Sequence, residues 1–451
     1  MQTLNLISTL IASGSARPSE IVVHIAGDRN DGFVAALRKL EVALQRVDRF
    51  GDGDAAYCNK LQQIPALQLR GCDIVVLCDT DVAFAADIRP WLLPDAVRAR
   101  VVDLPNPPLE NLERLYRRTG ITALPKLVPT AFAPAMTFET NCNGGLYVIP
   151  ARWLDSLGAA WRRWSQEALS DREILGPFRK HADQIGFCLA MLALGLPFKP
   201  LPASLNFPTH LPSEVLVPRD DVDPLILHYH WRTDPSGFLL PCGAPRVDAV
   251  ISRINDTLRE FRQRHFVSEV FWDYRYAHHP ELGSGVGSRG DALEYRRALL
   301  CPIISEFAKR EILDVGCGDL EVLASASADR YLGLDTSLEA IAVARAKRPD
   351  WTFLAGDISV LEGRLFDLVL CGSVLIHIPE REAYLGLVSH LVDRCRDTLV
   401  IEAYDAPPVL TSEITFFHEP VSDSLAREPR VRDVQFIGNY RDLKVFRARV
   451  R

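Results

Sequence analysis

Ten cysteines are spread through the 451-residue chain without one C-x-x-C pair, the spacing that zinc ribbons and dithiol redox centres need. Cys72, Cys78, Cys188, Cys317 and Cys371 sit in apolar or glycine-rich surroundings. That is the setting of buried free thiols in a reducing compartment rather than of a disulfide framework, so a cytoplasmic location is expected. Basic residues are not in excess: 51 Lys and Arg face 58 Asp and Glu, for a net charge of −7. No global positive field therefore advertises nucleic acid or anionic lipid. The chain has no run of about 18 apolar residues, so no membrane span is expected. Its first stretch, MQTLNLISTLIASGSARPSE, lacks positive charge at its start and is interrupted by Asn5, Ser8 and Thr9. It reads as a short helix or strand packed on the first domain rather than as a secretory leader. Internal repeats and low-complexity tracts are lacking too.

What is present is an ordinary globular composition, 48% hydrophobic and 24% charged, long enough for two to three domains. IVVHIAG (21–27) reads as a buried strand ending in glycine, with a helical pattern, DGFVAALRKLEVAL, after it. CDIVVLCDTDVAF is a second strand with carboxylates at its exit, and GGLYVIP (144–150) is a third. The helix that follows puts Leu154, Leu157, Trp161 and Trp164 on one face, the spacing of a core-facing stripe; peripheral membrane contact is its other use. Strands alternating with helices predict an α/β layer architecture. Residues 200–245 are proline-rich and read as loops around one apolar run, LILHYHW; 247–264 is a helical linking element. GSGVGSRG (283–290) reads as flexible, and a second run of βα units begins at REILDVGCGD (310–319).

Asp79 and Asp81 close the apolar run Ile74–Leu77 one residue apart, and burying two like charges together calls for a cation. Two hard carboxylates at a strand end can hold Mg²⁺ or Mn²⁺, which in turn neutralises a diphosphate. TNCNGGLYVIP (140–150), HADQIGFCLAM (181–191), LPASLNFPTH (201–210) and LILHYH (225–230) follow in order. With these motifs, residues 20–240 resemble the GT-A glycosyltransferases, especially those related to glycogenin and the bacterial lipooligosaccharide galactosyltransferases. The resemblance implies Asp79 and Asp81 as Asp-x-Asp metal ligands, with His228 completing the site and His230 its close competitor. It implies Asn143, Gly144 and Gly145 as the lining of the sugar pocket, and Asp183 and Gln184 as the pair facing the transferring sugar. Asp183 also suits a plain helix N-terminal carboxylate. The family's basic residue after the last histidine is a lysine near a Pro-Trp pair; here HWRTDPSG leaves Arg232 as the candidate for the phosphate.

EILDVGCGDLEVL (311–323) is a strand, a glycine turn and a helix start. Gly316 and Gly318 allow a turn whose backbone approaches a ligand closely, which serves NAD, FAD or S-adenosylmethionine alike. Asp335 ends the next strand, YLGLDTS, 17 positions after Gly318, where an acidic residue binds ribose hydroxyls. FLAGDIS (353–359) adds Asp357, and FDLVLCGSVLIHIP (366–379) gives a fourth strand. This ordered set, over residues 268–451, resembles the class I S-adenosylmethionine-dependent methyltransferases. The family's third glycine is Leu320 here, which argues further against a dinucleotide. The resemblance implies Asp314, Gly316, Gly318, Asp335, Asp357, Ile358 and Cys371 around the cofactor. FWDYRYAHHPELGSGVGSRG is similar to a cofactor-covering segment, implying Tyr274, Arg275 and Gly285; a plain linker is the alternative. His377 and His418 are candidate general bases, with structural roles equally open.

Joined, the resemblances imply an α/β protein: a GT-A domain (1–262), a linker and covering segment (263–295) and a Rossmann-like class I methyltransferase domain (296–451). The expected enzyme is bifunctional. It transfers a sugar from a nucleotide-sugar donor with Mn²⁺ or Mg²⁺, and methylates a sugar with S-adenosyl-L-methionine. Its acceptor is a glycan or glycolipid, in bacterial surface polysaccharide assembly. A methyltransferase with a front domain that only binds, or a non-catalytic scaffold, are the alternatives.

Overall fold

The computed structural model describes every residue except 28–30, 67–70, 217–221, 362 and 411, and divides the chain into Met1–Leu258 and Arg259–Arg451. In the first unit, helix α1 (Gln2–Ala12) buries Leu4, Leu6 and Ile7, as the interrupted apolar pattern of the N-terminus predicts. Strands β1 (Val22–Ala26) and β2 (Ala43–Val47) pair in parallel across α2 (Asp31–Lys39). There follow β3 (Ile74–Cys78), β4 (Val82–Phe84), β5 (Val97–Val101), α3 (Leu109–Thr119) and a hairpin of β6 (Leu127–Pro129) and β7 (Met136–Phe138). Then come β8 (Cys142–Pro150), α4 (Ala151–Ser170), the single turn α5 (Arg172–Leu175) and α6 (Ala182–Leu194). β9 (Phe198–Pro200), β10 (Leu205–Pro208), the turn α7 (Ser213–Leu216) and β11 (Ile226–His228) close the unit's strands.

Strand β8 is the organiser. It lies antiparallel between β3 and β5 in a sheet of order β3-β8-β5-β9, and all nine of its residues are buried. Period-two alternation sends Tyr147 and Ile149 into the core with α4 and α6, and Leu146 and Val148 into the one holding Val82 and Phe84. Helix α4 buries Leu154, Leu157, Trp161 and Trp164, the predicted stripe, against protein. Gly186 of α6 lets that helix meet α4 closely: a Cβ there would lie 2.1 Å from the Ser165 hydroxyl. A second sheet, β10-β11-β4, pairs β10 with β11 in parallel and β11 with β4 antiparallel. The proline-rich 200–245 region thus holds two short strands instead of one, of four and three residues, too short for periodicity to show.

Helix α8 (Pro245–His265) leads into the second unit, which begins with α9 (Ser268–His278) and α10 (Gly290–Glu306). Its strands and helices are β12 (Glu311–Val315), β13 (Arg330–Asp335), α11 (Leu338–Lys347), β14 (Thr352–Ala355), β15 (Phe366–Gly372) and α12 (Arg381–Asp393). β16 (Cys395–Tyr404), α13 (Val421–Ala426), β17 (Val431–Tyr440) and β18 (Leu443–Val450) complete it. The seven strands run β14-β13-β12-β15-β16-β18-β17; the first five are parallel, and β18 is antiparallel to both neighbours. Both faces are covered, Leu313 and Val315 packing on one side and Ile312 on the other. This is a Rossmann-like α/β fold, and its strand order reverses between β12 and β15, the place where such sheets open a ligand crevice. No helix among the described residues is long and apolar enough to cross a membrane.

Candidate functional site

The carboxyl edge of the second sheet gathers most of the expected cofactor residues. After β12 the chain turns through Gly316 and Gly318, with φ of +74° and +54°, and Leu320 follows at +59°. The amide of Gly318 donates to Asp335 Oδ2 (2.9 Å) and that of Ser337 to Asp335 Oδ1 (2.9 Å), so the carboxylate at the end of β13 braces the turn. Burial raises the pKa of Asp335 to about 6. Asp314, inside β12, is likewise pushed up to about 6 by burial, and it accepts a hydrogen bond from the Tyr331 hydroxyl (2.5 Å). Asp357 is exposed and braces its own turn through Ser359, while Ile358 beside it is buried. Cys371 is buried within β15, and burial drives its thiol pKa upward.

The stretch from α9 to α10 closes over this turn rather than trailing as a linker. A Cβ on Gly318 would lie 2.4 Å from the Ser284 hydroxyl and 3.0 Å from the Tyr276 hydroxyl. Those hydroxyls meet at 2.8 Å, and Ser284 also donates to Asp319 Oδ1 (2.7 Å), which pairs with Arg289 (2.7 Å). Asp273 anchors α9 by accepting from the Ser337 hydroxyl (2.7 Å). The glycine-rich segment read as flexible is therefore pinned, because its glycines admit Asp319 and Arg289: a Cβ on Gly283 would fall 2.0 Å from the former and 2.1 Å from the latter. Of the expected covering residues, Arg275 stacks over Phe271 and Trp272, with its Nε unpartnered and its pKa lowered by burial. Gly285 lies against that guanidinium at φ +92°. Tyr274 instead packs on His278 and His279, and Tyr276, not foreseen, takes the position at the turn. The signal for it was only its place seven positions ahead of the glycine-rich stretch at Gly283.

His377 follows β15 with its ring edge-on to Trp272 at 5.2 Å. Its Nδ1–H donates to the Ile414 carbonyl (2.6 Å) and burial lowers its pKa to about 4, so Nε2 keeps a free lone pair. His418 spends Nε2–H on the Ile378 carbonyl (2.8 Å) and packs on Tyr384. Nothing in the local sequence pattern pointed to a buried network beside them. Arg296 Nε donates to Glu402 (2.9 Å), which also accepts from Ser373, a residue at φ +61°.

In the first unit, the ends of β3, β8 and β11 converge with α6. Asp81 Oδ1 faces His228 Nε2 at 3.3 Å and Asp81 Oδ2 faces His230 Nδ1 at 3.5 Å; the two imidazoles stack at 3.9 Å. Among the described residues these three form a group able to hold a metal ion. Asn143 Oδ1 accepts from the Gly145 amide, from Asn206 Nδ2 and from His228 Nδ1 (3.0, 3.0 and 3.1 Å). That places the Nδ1–H of His228 on Asn143 and turns Nε2 toward a carboxylate oxygen, a contact that needs a proton or a cation between the two atoms. The donor set fits a divalent cation. Burial opposes ionisation of Asp81, and the two histidines overcome it, holding its carboxyl well below the usual range.

Asp79 is not in that group. It pairs with Lys60 (2.8 Å), a residue the sequence did not single out, which also meets Asp183 Oδ2 (3.2 Å) and the Gly144 carbonyl (3.0 Å). Burial works against the Lys60 ammonium, but the two carboxylates outweigh it and raise its pKa. Asp183, in the first turn of α6, is raised by burial against the pull of Lys60, and its carbonyl accepts from Trp161 Nε1 (2.6 Å). Gln184 follows it, half-buried. The expected pocket lining is tighter than a pocket: a Cβ on Gly144 would meet Lys60 Nζ at 2.6 Å, and one on Gly145 would meet His228 Nδ1 at 2.7 Å. These glycines admit the protein's own side chains, and buried Asn143 serves as a hydrogen-bond hub. Arg232 gives Nη2–H to the Pro241 carbonyl (2.6 Å).

Residues 312–394 match the sequence profile of a methyltransferase domain family. No match is found among curated protein sequences. Among solved structures, magnesium protoporphyrin IX methyltransferase from Synechocystis is 19% identical, covering 44% of this chain and 91% of its own (TM-score 0.29). N-methyltransferase NodS from Bradyrhizobium japonicum is 21% identical over 35% and 87% (TM-score 0.29). A sugar N-methyltransferase from Streptoalloteichus is 18% identical over 36% and 90% (TM-score 0.31). The profile match places a methyltransferase domain in the second unit.

Proposed function

We propose that the second unit transfers a methyl group from S-adenosylmethionine to a sugar. The observation that carries this reading is the Gly316–Gly318 turn braced by Asp335 at the sheet's switch point, under a lid of Tyr276 and Ser284. The cofactor supplies an electrophilic sulfonium methyl. Asp335 accepts the ribose hydroxyls, and the Arg275 guanidinium, already desolvated, holds the amino-acid carboxylate. Asp314, Asp357, Ile358 and Cys371 shape the surrounding walls, and residues 263–295 form the covering segment. In-line displacement leaves the protein chiefly the tasks of positioning and water exclusion. Neutral His377 takes the proton from the acceptor hydroxyl or amine at Nε2, while its Nδ1–H stays on Ile414. Titration calorimetry with S-adenosylhomocysteine tests the reading: wild type binds, Asp335→Ala does not. Equal binding by both would overturn it.

The first unit we read as a GT-A nucleotide-sugar transferase, making the chain a bifunctional enzyme of glycan assembly. Supporting this are the Asp81–His228–His230 group and Asp183 at the start of α6. A divalent cation held there would neutralise the donor diphosphate. Asp183 and Gln184 would face the sugar, and tethering two activities raises the effective concentration of the intermediate. The second reading, a front unit that binds a glycan without turnover, is favoured by Lys60, which already neutralises Asp79 and Asp183 from within. Nucleotide release from UDP-, GDP- and dTDP-sugars with Mn²⁺ separates them: release lost with chelator and in Asp81→Ala supports transfer, and donor binding without release supports the second reading.

A further inference from the structure

We infer that His230, and not Asp79, is the third ligand of the cation site in the first unit, so that two imidazoles and one carboxylate select a transition-metal ion over Mg²⁺. This rests on the metal-site reading above and goes past the Asp-x-Asp pattern that suggested it. Two chain segments deliver the donors to one edge of the β10-β11-β4 sheet, and a third brings a supporting histidine. Antiparallel pairing sets His228, the last residue of β11, opposite Val82, the first of β4, with Asp81 just before it. Parallel pairing sets β10 alongside, so that His210, two residues past its end, arrives at the same edge.

His230 has φ +53°, the left-handed region that few non-glycine residues occupy. Its ring stacks on His228 at 3.9 Å and meets His210 edge-on at 3.9 Å. His230 Nδ1 faces Asp81, while His230 Nε2 and His210 Nδ1 are both buried without a hydrogen-bond partner. The nitrogens turned to Asp81, His228 Nε2 and His230 Nδ1, converge on one carboxylate, a donor set that a cation placed between them would satisfy. His210 is the positioning residue for His230, bracing the ring of the ligand from the side away from Asp81.

Asp79 is committed elsewhere. Moving it onto the ion would strip one carboxylate from Lys60, whose side chain is 10% exposed. Lys60 would then keep Asp183 alone as its counter-charge. The donor set left is nitrogen-rich, suited to Mn²⁺, Fe²⁺, Co²⁺ or Zn²⁺, whereas Mg²⁺ prefers oxygen ligands and retained waters.

The test uses the full chain, with Co²⁺ absorption as the probe and Mn²⁺, Zn²⁺ and Mg²⁺ as competitors. Wild type is expected to bind one Co²⁺ that Mn²⁺ and Zn²⁺ displace and Mg²⁺ in large excess does not. His230→Ala and His230→Asn should weaken Co²⁺ by at least ~10-fold, and Asp79→Asn should leave its affinity unchanged. His210→Ala should shift the Co²⁺ absorption band, with His210→Gln restoring it. Thermal melts in chelator check that each variant is folded. If Asp79→Asn loses the metal while His230→Ala keeps it, or if Mg²⁺ competes as well as Mn²⁺, the inference is overturned and a cation site of Asp-x-Asp type remains. If wild type takes up no Co²⁺, the metal-site reading falls together with it.

Discussion

Carboxylates end buried strands in both units, and the two units balance them in different ways. In the first, Asp79 and Asp183 share the Lys60 ammonium, and Asp81 faces two imidazoles. In the second, Asp335 takes its hydrogen bonds from two backbone amides of adjacent turns. The Lys60 ammonium neutralises charge at all times, so its pairing with Asp79 and Asp183 is a component of the fold before any ligand arrives. Amide donors leave each Asp335 oxygen with room for a further bond, so the second is held open for a ligand. Removing a partner should therefore damage stability in the first unit and binding in the second.

The sharpest test of that contrast is Lys60→Met. Asp183, whose side chain is 5% exposed, would lose its cation, and breaking a buried pair from one side costs ~3–5 kcal/mol. Urea denaturation should show that loss, with Lys60→Met/Asp183→Asn recovering part of it. A single variant as stable as wild type would mean that Lys60 is not the counter-charge. In the second unit the largest effect should be on turnover. His377→Ala is expected to lower kcat for methyl transfer by ~100-fold without changing KM for S-adenosylmethionine. His418→Ala, whose Nε2 serves the Ile378 carbonyl, should lose far less. Equal losses would deny His377 its role as base.

A smaller effect is expected at the turn. Gly318→Ala puts a methyl group against the Ser284 hydroxyl of the lid, which has to shift to admit it, and a loss of about tenfold in affinity is expected. Calorimetry with S-adenosylhomocysteine reads that change directly. An unchanged affinity would show that the lid and the turn move independently.

These sites were legible in the sequence to different depths, for physical reasons. The second unit's turn and strand-end carboxylates lie in short, local patterns, and β12 to β15 fall on the runs that carried them. Asp81 and His228 could be picked out because the motifs that bear them come in family order. Lys60 could not, since it lies in a 3-10 stretch, Gly53–Gln62, without strand-end punctuation, and reaches Asp183 only through the fold. The same holds for Arg296 and Glu402, which are 106 positions apart. The glycines were legible only in part. Gly144 and Gly145 mark close approach, with Lys60 and His228 lying where a Cβ would be, and Gly283, in the stretch read as flexible, leaves the same kind of room for Asp319 and Arg289. Composition marks the absence of a Cβ and leaves open which atom uses the space.

The finest discrimination between the units comes from pH. Asp335 has a pKa raised by burial to about 6, above the ordinary ~3.9 of an aspartate. A carboxyl raised in this way favours the folded apo unit below the ordinary value, and that contribution fades as pH climbs through about 6. Asp314, raised to about 6 as well, adds to the same trend. Ligand binding should run the other way: ribose hydroxyls donate to the ionised carboxylate, so binding expels a proton wherever Asp335 is protonated. Affinity for S-adenosylhomocysteine should therefore rise with pH up to about 6, by at most ~10-fold per unit, and level off above it. Asp335→Asn should flatten that rise, leaving in the stability profile the share due to Asp314, which is bonded to Tyr331. A wild-type affinity already flat between about pH 5 and about pH 7 would mean that Asp335 braces the turn and nothing more. The second unit's carboxylate would then be as structural as those around Lys60.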